Sequence, residues 1–240
     1  MIGNYIKTGY DEYEKARDLR QIFILRKTIM KKTTYLFDFD GTLVNSMPTF
    51  SSVMLRIINE QKLTVGDDVI KTITPLGYNG SARYFRELGC TLSEEALVAM
   101  MNDYAFPDYA ERIEAKPEVI ATLKALRERG DSLNVLTASP HSILDVCLSR
   151  LGIFELFDNV WSCDDFDTTK SNPEIYKMAA ERLGVAVGEV TFVDDNVNAV
   201  KTAKDAGAVA YGIYDDSSAD YVEEMTSVAK RYLKSFSELL

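Results

Sequence analysis

Cysteine, histidine and long apolar runs are all scarce in this sequence. The three cysteines are an odd number and form no CxxC pair, which argues against both a disulfide framework and a zinc knuckle. No stretch reaches the roughly 20 consecutive apolar residues of a membrane span, and no secretory signal is evident. We therefore expect a soluble cytoplasmic protein that does not bind membranes.

Basic residues are also outnumbered by acidic ones. The 240-residue chain has 27 Lys and Arg against 37 Asp and Glu, which gives a formal net charge of -10. The electrostatic field of a protein with this net negative charge repels nucleic-acid backbones, so we expect no nucleic-acid partner. A small anionic substrate would need a locally positive site, built from a bound metal cation or a few placed donors.

Short apolar runs alternate with amphipathic helical segments from Thr33 onward. Four of these runs end in polar residues: TTYLF, SLNVL, EVTFV and VAYGIY. Continuous apolar strands of this kind are typical of parallel sheets covered by helices on both faces. Helices are predicted at 117–129, 142–151 and 173–183, each followed by glycine. The pattern predicts an α/β fold with a Rossmann-like open parallel sheet, in which ligands bind at the carboxyl ends of the strands.

One long segment breaks this alternation. Residues 46–115 are rich in Met, Tyr and Glu, helical in period and without a convincing buried strand. An ordinary helical crossover is the alternative, but about 70 residues far exceed the dozen or so that a crossover needs. We predict an inserted α-helical cap over the crevice at 46–115, a core at 33–45 and 116–240, and a helical N-terminal extension at 1–32.

Two carboxylates follow the first predicted strand, in the sequence YLFDFDGTLVNS. Side chains two residues apart on an extended backbone point the same way, so Asp38 and Asp40 should face one crevice. Gly41 permits a tight reversal directly after them. Carboxylates this close predict either a raised pKa or a bound cation. Taken alone, the motif is more often an ordinary acidic turn.

Polar residues follow the later strands as well. Thr137 and Ser139 follow a buried run, and a hydroxyl there could form a small anion cradle with the main-chain N–H of Ala138, although Thr and Ser at strand ends often only satisfy turns. Lys170 could neutralise a phosphoryl oxygen, or it could be a solvated surface lysine. Asp194 and Asp195 are hard oxygen ligands suited to Mg²⁺, although one of them could instead cap the following helix. All these groups lie at predicted strand ends. Their occurrence together indicates one functional site far more specifically than any of these residues does alone.

The four motifs occur in the order typical of the haloacid dehalogenase superfamily, which the sequence resembles from Thr33 to the C-terminus. The resemblance implies a Mg²⁺-dependent phosphatase that acts on a small phosphorylated metabolite. It makes Asp38 the nucleophile, which forms an aspartyl-phosphate, and it makes Asp40 the general acid and base.

The binding groups follow from the same resemblance. The phosphoryl oxygens would be held by Thr137, Ala138 and Lys170. The metal would be held by Asp38, the main-chain carbonyl of Asp40, Asp195 and Asp194. One departure concerns the lysine: the family usually has proline directly after it, whereas Ser171 and Asn172 intervene here.

Branches of the superfamily differ in ways that the sequence can test. Dehalogenases lack an acid at the position of Asp40, and phosphonatases carry alanine there, so both are disfavoured. Mutases similar to β-phosphoglucomutase place a histidine at the position of Phe50, whereas the only histidine here is His141. A sugar phosphomutase is therefore the second candidate, and a binding protein with this fold but without turnover is the third.

The cap sequence ITPLGYNGSARYFRELG is similar to the cap of phosphoglycolate phosphatase-like members. Substrate specificity would come from side chains of this segment. The candidates for contacting the leaving group are Tyr78, Asn79 and Arg83, and an ordinary helix-surface role is the alternative for each.

Overall fold

A parallel sheet of six strands forms the centre of the computed structural model, which describes residues 32–240. The strands are β1 (Thr34–Phe37), β2 (Ser132–Thr137), β3 (Asn159–Ser162), β4 (Val190–Asp194), β5 (Val209–Ile213) and β6 (Arg231–Leu233). Their order across the sheet is β3-β2-β1-β4-β5-β6. The predicted α/β class with an open parallel sheet is confirmed. The expected helical N-terminal extension at 1–32 lies outside the described part of the chain except for residue 32.

The described residues form nine α-helices as well. Their bounds are α1 (Met47–Glu60), α2 (Val69–Ile73), α3 (Gly77–Glu87), α4 (Glu94–Glu111), α5 (Val119–Arg129), α6 (His141–Arg150), α7 (Glu174–Leu183), α8 (Val197–Asp205) and α9 (Val222–Val228). Within residues 32–240, no helix is both long enough and apolar enough to cross a membrane.

Helices cover both faces of the sheet, which explains why its strands are apolar. Tyr35 and Phe37 belong to a core that includes buried residues of α5 and α6. Leu36 points to the other face, where it belongs to a core with α7, α8 and α9. Successive residues of one strand therefore contribute to two separate cores, as the alternation of side chains along a strand requires.

The residues between β1 and α5 form helices α1 to α4. The two connections of this segment to the sheet lie side by side. The Asn45 N–H donates to the Glu114 carbonyl at 2.9 Å, and the Lys116 N–H donates to the Leu43 carbonyl at 3.0 Å. The role of residues 46–115 as a cap stays a prediction.

Two strands were not expected, and the helix starts differ from the sequence-based expectations by one or two residues. The edge strands β3 and β6 were not predicted, because they have only four and three residues and are incompletely buried. The helix α5 begins at Val119 rather than at Pro117, since Glu118 has a left-handed backbone with φ of 66°.

Candidate active site

Three carboxylates meet where β1 and β4 end. Phe37 of β1 pairs with Val193 of β4, and the residues that follow this pair are Asp38 and Asp194. One carboxylate oxygen from each of Asp38, Asp194 and Asp195 lies within 4.8 Å of the other two, and all three side chains are buried. The sheet order makes β1 and β4 neighbours at the point where the order of strands reverses, which is where open α/β sheets bind ligands.

Lys170 lies between two of these carboxylates. Its Nζ donates a hydrogen bond to Asp194 Oδ2 at 2.8 Å and lies 2.6 Å from Asp38 Oδ1. The second contact is an ion pair without hydrogen-bond alignment, so this buried oxygen of Asp38 accepts no hydrogen bond from the described residues. Tyr176 of α7 donates a hydrogen bond to the Lys170 carbonyl at 3.0 Å. The lysine therefore reaches the site although Ser171 and Asn172 separate it from Pro173.

Asp195 is held by the loop that follows β1. Thr42 Oγ1 donates to Asp195 Oδ1 at 3.0 Å and accepts the Asp195 N–H at 3.1 Å. A Cβ atom on Gly41 would lie 2.5 Å from Asp195 Oδ2, and Gly41 has φ of 73°. Glycine is thus required at this position for both space and backbone conformation. The Asn196 side chain caps α8 by accepting from the N–H groups of Asn198 and Ala199, so neither aspartate is needed as that cap.

Asp40 lies beside this cluster and meets hydroxyl groups. Ser139 Oγ donates to Asp40 Oδ2, and Tyr109 of α4 donates to Asp40 Oδ1. Thr137 Oγ1 accepts the Ser139 N–H at 3.1 Å, which leaves the hydrogen of the Thr137 hydroxyl available to a ligand. Ala138, between them, is exposed. The structure therefore brings the segment after β2 next to Asp40.

Burial raises the pKa values of the clustered carboxyl groups. Burial and the charge of Asp194 raise the pKa of Asp38 to about 7, and Lys170 opposes this rise. Burial and the neighbouring carboxylates of Asp194 and Asp38 raise the pKa of Asp195 well above its usual range. Burial lowers the pKa of Lys170, but Asp194 and Asp38 more than offset this effect and raise it. A bound cation would oppose these upward shifts, because it favours the ionised form of each carboxyl group.

The three cap candidates lie on different sides of α3. Tyr78 stacks on Phe50 with ring centroids 5.7 Å apart, and burial together with the Asp40 charge raises the pKa of Tyr78. Asn79 and Arg83 share another side of the helix, where Arg83 Nε lies 3.9 Å from Glu94 Oε2 of α4. Asn79 lines a surface depression beside the same helix. The structure thus brings Tyr78 towards Asp40 and places the other two candidates beside α4, because residues four apart share a helix face.

The family model of haloacid dehalogenase-like hydrolases matches residues 32–207, a range that contains all four motifs. The chain belongs to this family. It is therefore a hydrolase, and the expected family is confirmed.

Relatives of this hydrolase cover most of its length. The protein YhcW of Bacillus subtilis (strain 168) is 30% identical over 176 residues, which cover 72% of this chain and 79% of YhcW. A phosphoglycolate phosphatase of Colwellia psychrerythraea (strain 34H / ATCC BAA-681) is 27% identical over 222 residues, covering 88% of this chain and 97% of the relative. The structure of CbbY from Rhodobacter sphaeroides in complex with phosphate has a TM-score of 0.75 at 22% identity, over 87% of this chain and 96% of CbbY. This last likeness supports the fold.

The acidic cluster of this hydrolase fits a divalent metal ion. Carboxylate oxygens are the ligands that Mg²⁺ prefers. The buried carboxylates of Asp38, Asp194 and Asp195 lie together, and Lys170 forms ion pairs with only two of them, Asp38 and Asp194. A cation would also interact with the Asp38 oxygen that accepts no hydrogen bond. The donor set is thus compatible with Mg²⁺.

Sequence reasoning gave Thr42 and Tyr109 no role, and it did not foresee that Ser139 contacts Asp40. Thr42 and Ser139 belong to the motifs themselves, so a hydroxyl just after a strand end was the signal that could have indicated them. The Tyr109 contact joins residues 69 positions apart. No local pattern distinguishes this tyrosine from the other aromatic residues of the helical segment.

Proposed function

We propose that this protein is a Mg²⁺-dependent phosphatase that hydrolyses a small phosphomonoester through an aspartyl-phosphate on Asp38. The observation that carries the proposal is the meeting of Asp38, Asp194 and Asp195 with Lys170 at neighbouring strand ends, beside Asp40. Relatives named phosphoglycolate phosphatase support it. So do structures of CbbY that hold phosphate or xylulose-(1,5)bisphosphate.

The metal would be held by the carboxylates of Asp38, Asp194 and Asp195 and by the main-chain carbonyl of Asp40. A bound Mg²⁺ supplies positive charge to the phosphoryl oxygens and to the crowded carboxylates. Because burial raises the pKa of Asp38 to about 7, such a charge also favours the ionised form that a nucleophile needs.

In the first step, a carboxylate oxygen of Asp38 attacks phosphorus and forms a new P–O bond while the bond to the ester oxygen breaks. Asp40 in its protonated form gives its proton to the departing alcohol oxygen. Lys170, the Thr137 hydroxyl and the Ala138 N–H stabilise the negative phosphoryl oxygens. The products of this step are a free alcohol and an aspartyl-phosphate.

In the second step, Asp40 is a carboxylate and takes a proton from water. The water oxygen attacks the phosphorus of the intermediate, and the bond from phosphorus to Asp38 breaks. Inorganic phosphate leaves, the Asp38 carboxylate is restored, and Asp40 is again protonated for the next cycle.

The test is phosphate release from p-nitrophenyl phosphate in the presence of Mg²⁺. Asp38→Asn should reduce the release to background, because an amide oxygen is a poor nucleophile and the intermediate cannot form. Asp145→Asn, which removes a half-buried carboxylate of α6, is the matched control and should retain wild-type activity. Activity that survives Asp38→Asn would reject Asp38 as the nucleophile.

Two other functions have weaker support. The position that carries histidine in β-phosphoglucomutase-like mutases holds Phe50, which is buried against Tyr78. The only histidine, His141, interacts with Asp145 and Asp165 instead. Conversion of a hexose 1-phosphate to its 6-phosphate faster than release of phosphate would favour the mutase. Inactivity across a broad panel of phosphate esters would favour a non-catalytic binding protein.

A further inference from the structure

The carboxylate of Asp40 is held by two hydroxyls, one of which comes from the helical segment 46–115. Ser139 donates to one oxygen, and Tyr109 of α4 donates to the other. Tyr109 is only 3% exposed, and its ring packs against Phe39 with centroids 6.0 Å apart. The proposed acid and base therefore depends on a distant helix for one of its two contacts.

Arg150 of α6 fixes Tyr109 relative to the sheet. Tyr109 lies in the last turn of α4, where main-chain carbonyls have no partner within the helix. The Arg150 guanidinium donates to the Tyr109 carbonyl at 3.2 Å and also to the Ile113 carbonyl. The tyrosine backbone is therefore attached to a helix that packs directly on the sheet.

Hydroxyl partners suit a group that must change its protonation state. A hydroxyl carries both a hydrogen and lone pairs, so it can donate to a carboxylate or accept from a carboxylic acid. The ammonium of Lys170, which faces Asp38, can only donate. The Tyr109 hydroxyl has a single hydrogen, and it donates this hydrogen to Asp40.

We propose that Tyr109 is a positioning residue that holds Asp40 in place for proton transfer to the leaving alcohol. This inference rests on the proposed phosphatase activity. Tyr109 acts through Asp40 and does not contact the phosphoryl group. Its loss should therefore matter most for esters whose leaving group requires a proton.

The test compares two substrates in the variant Tyr109→Phe, which keeps the ring and loses the hydroxyl. An alkyl phosphate releases a strongly basic alkoxide that needs a proton, whereas p-nitrophenyl phosphate releases a stable phenolate. We expect kcat/KM to fall about tenfold or more for the alkyl phosphate and less than about threefold for p-nitrophenyl phosphate. Because kcat/KM reports formation of the aspartyl-phosphate, slow hydrolysis of that intermediate does not mask the difference.

Tyr104→Phe is the matched control, since it removes a hydroxyl that the same helix donates to a surface carboxylate, that of Glu60. It should behave as the wild type with both substrates. Ser139→Ala removes the other hydroxyl from Asp40 and should show the same substrate preference as Tyr109→Phe. It keeps the inference testable if thermal unfolding shows that Tyr109→Phe does not fold.

Equal losses on the two esters would indicate a merely structural role and would overturn the inference, as would full activity of Tyr109→Phe on the alkyl phosphate. In both cases an active wild type would leave the proposed phosphatase function intact. If the wild-type protein and Tyr104→Phe released phosphate from neither ester, the proposed function would fail and the role of Tyr109 would fail with it.

Discussion

Asp38 and Asp40 are separated by one residue, yet their side chains meet different partners. Asp38 faces the ammonium of Lys170 and the carboxylate of Asp194, whereas Asp40 faces the hydroxyls of Ser139 and Tyr109. Differences in environment of this kind are how paired carboxylates take separate catalytic roles. At the scale of single residues, partner type supports Asp38 as nucleophile and Asp40 as acid and base.

His141 gives a residue-scale prediction about pH. Asp145 and Asp165 lie 3.0 and 2.9 Å from its two ring nitrogens, and the hydrogen bond with Asp145 is the main cause that raises the pKa of His141. Since the chain has only one histidine, its NMR titration can be assigned directly. We expect a midpoint above the ordinary value of 6.5, and a lower midpoint in Asp145→Asn.

The sign of the linked stability change follows from the raised pKa. The contribution of His141 to the free energy of unfolding should be complete below the pKa of the unfolded chain and should disappear as the pH rises through the folded pKa. Asp205→Asn, which changes an exposed carboxylate of α8, should leave the NMR midpoint unchanged. A midpoint at or below 6.5 in the wild type would contradict the prediction.

The helix α4 links the segment 46–115 to the active site. Its buried side chains recur every four residues, so one face of the helix points to the core and carries Leu97, Met101, Ala105 and Tyr109. Ser93 caps its N-terminus by accepting the Ala96 N–H at 3.2 Å. Because Tyr109 belongs to this buried face, the packing of α4 against the core determines the position of the Tyr109 hydroxyl.

Two adjacent methionines of α4 test the importance of this face. Met101 is fully buried, whereas Met100 is only partly buried. Met101→Ala should lower the free energy of unfolding by about 2–5 kcal/mol, because it leaves a cavity in the core. Met100→Ala should have a clearly smaller effect. Urea denaturation measures the free energy of unfolding of both variants. Equal decreases would show that the buried face does not determine the packing of α4.

At the scale of the whole molecule, the order of the strands creates the site. The carboxyl ends of β1, β2 and β4 are neighbours, so groups that are more than 150 residues apart in the chain can meet, as Thr42 and Asp195 do. The chain has a formal net charge of -10, and three buried carboxylates, those of Asp38, Asp194 and Asp195, lie together in the site. A divalent cation should therefore affect the stability of the whole fold.

We expect Mg²⁺ to raise the temperature of unfolding and EDTA to reverse this change. A ligand at 100 times its dissociation constant stabilises the folded state by about 2.7 kcal/mol. Asp195→Asn should reduce the response, because it removes one of the clustered carboxylates, whereas the surface variant Asp205→Asn should respond as the wild type does. Differential scanning calorimetry at several Mg²⁺ concentrations is the measurement. Equal responses of the two variants would argue against Asp195 as a ligand.

The sequence by itself determined the α/β class and the positions of the motifs at strand ends. Both signals are local, since apolar periodicity and a polar residue after a strand can be recognised within a few neighbouring positions. The edge strands β3 and β6 were missed because short, partly exposed strands carry little of this signal.

Only the tertiary structure decided which side chains meet. It placed Lys170 between Asp38 and Asp194, brought Tyr109 to Asp40, and turned Asn79 and Arg83 towards α4. These contacts depend on strand order and on how each helix is rotated against its neighbours. Both properties arise from packing between distant parts of the chain, so no local pattern contains them.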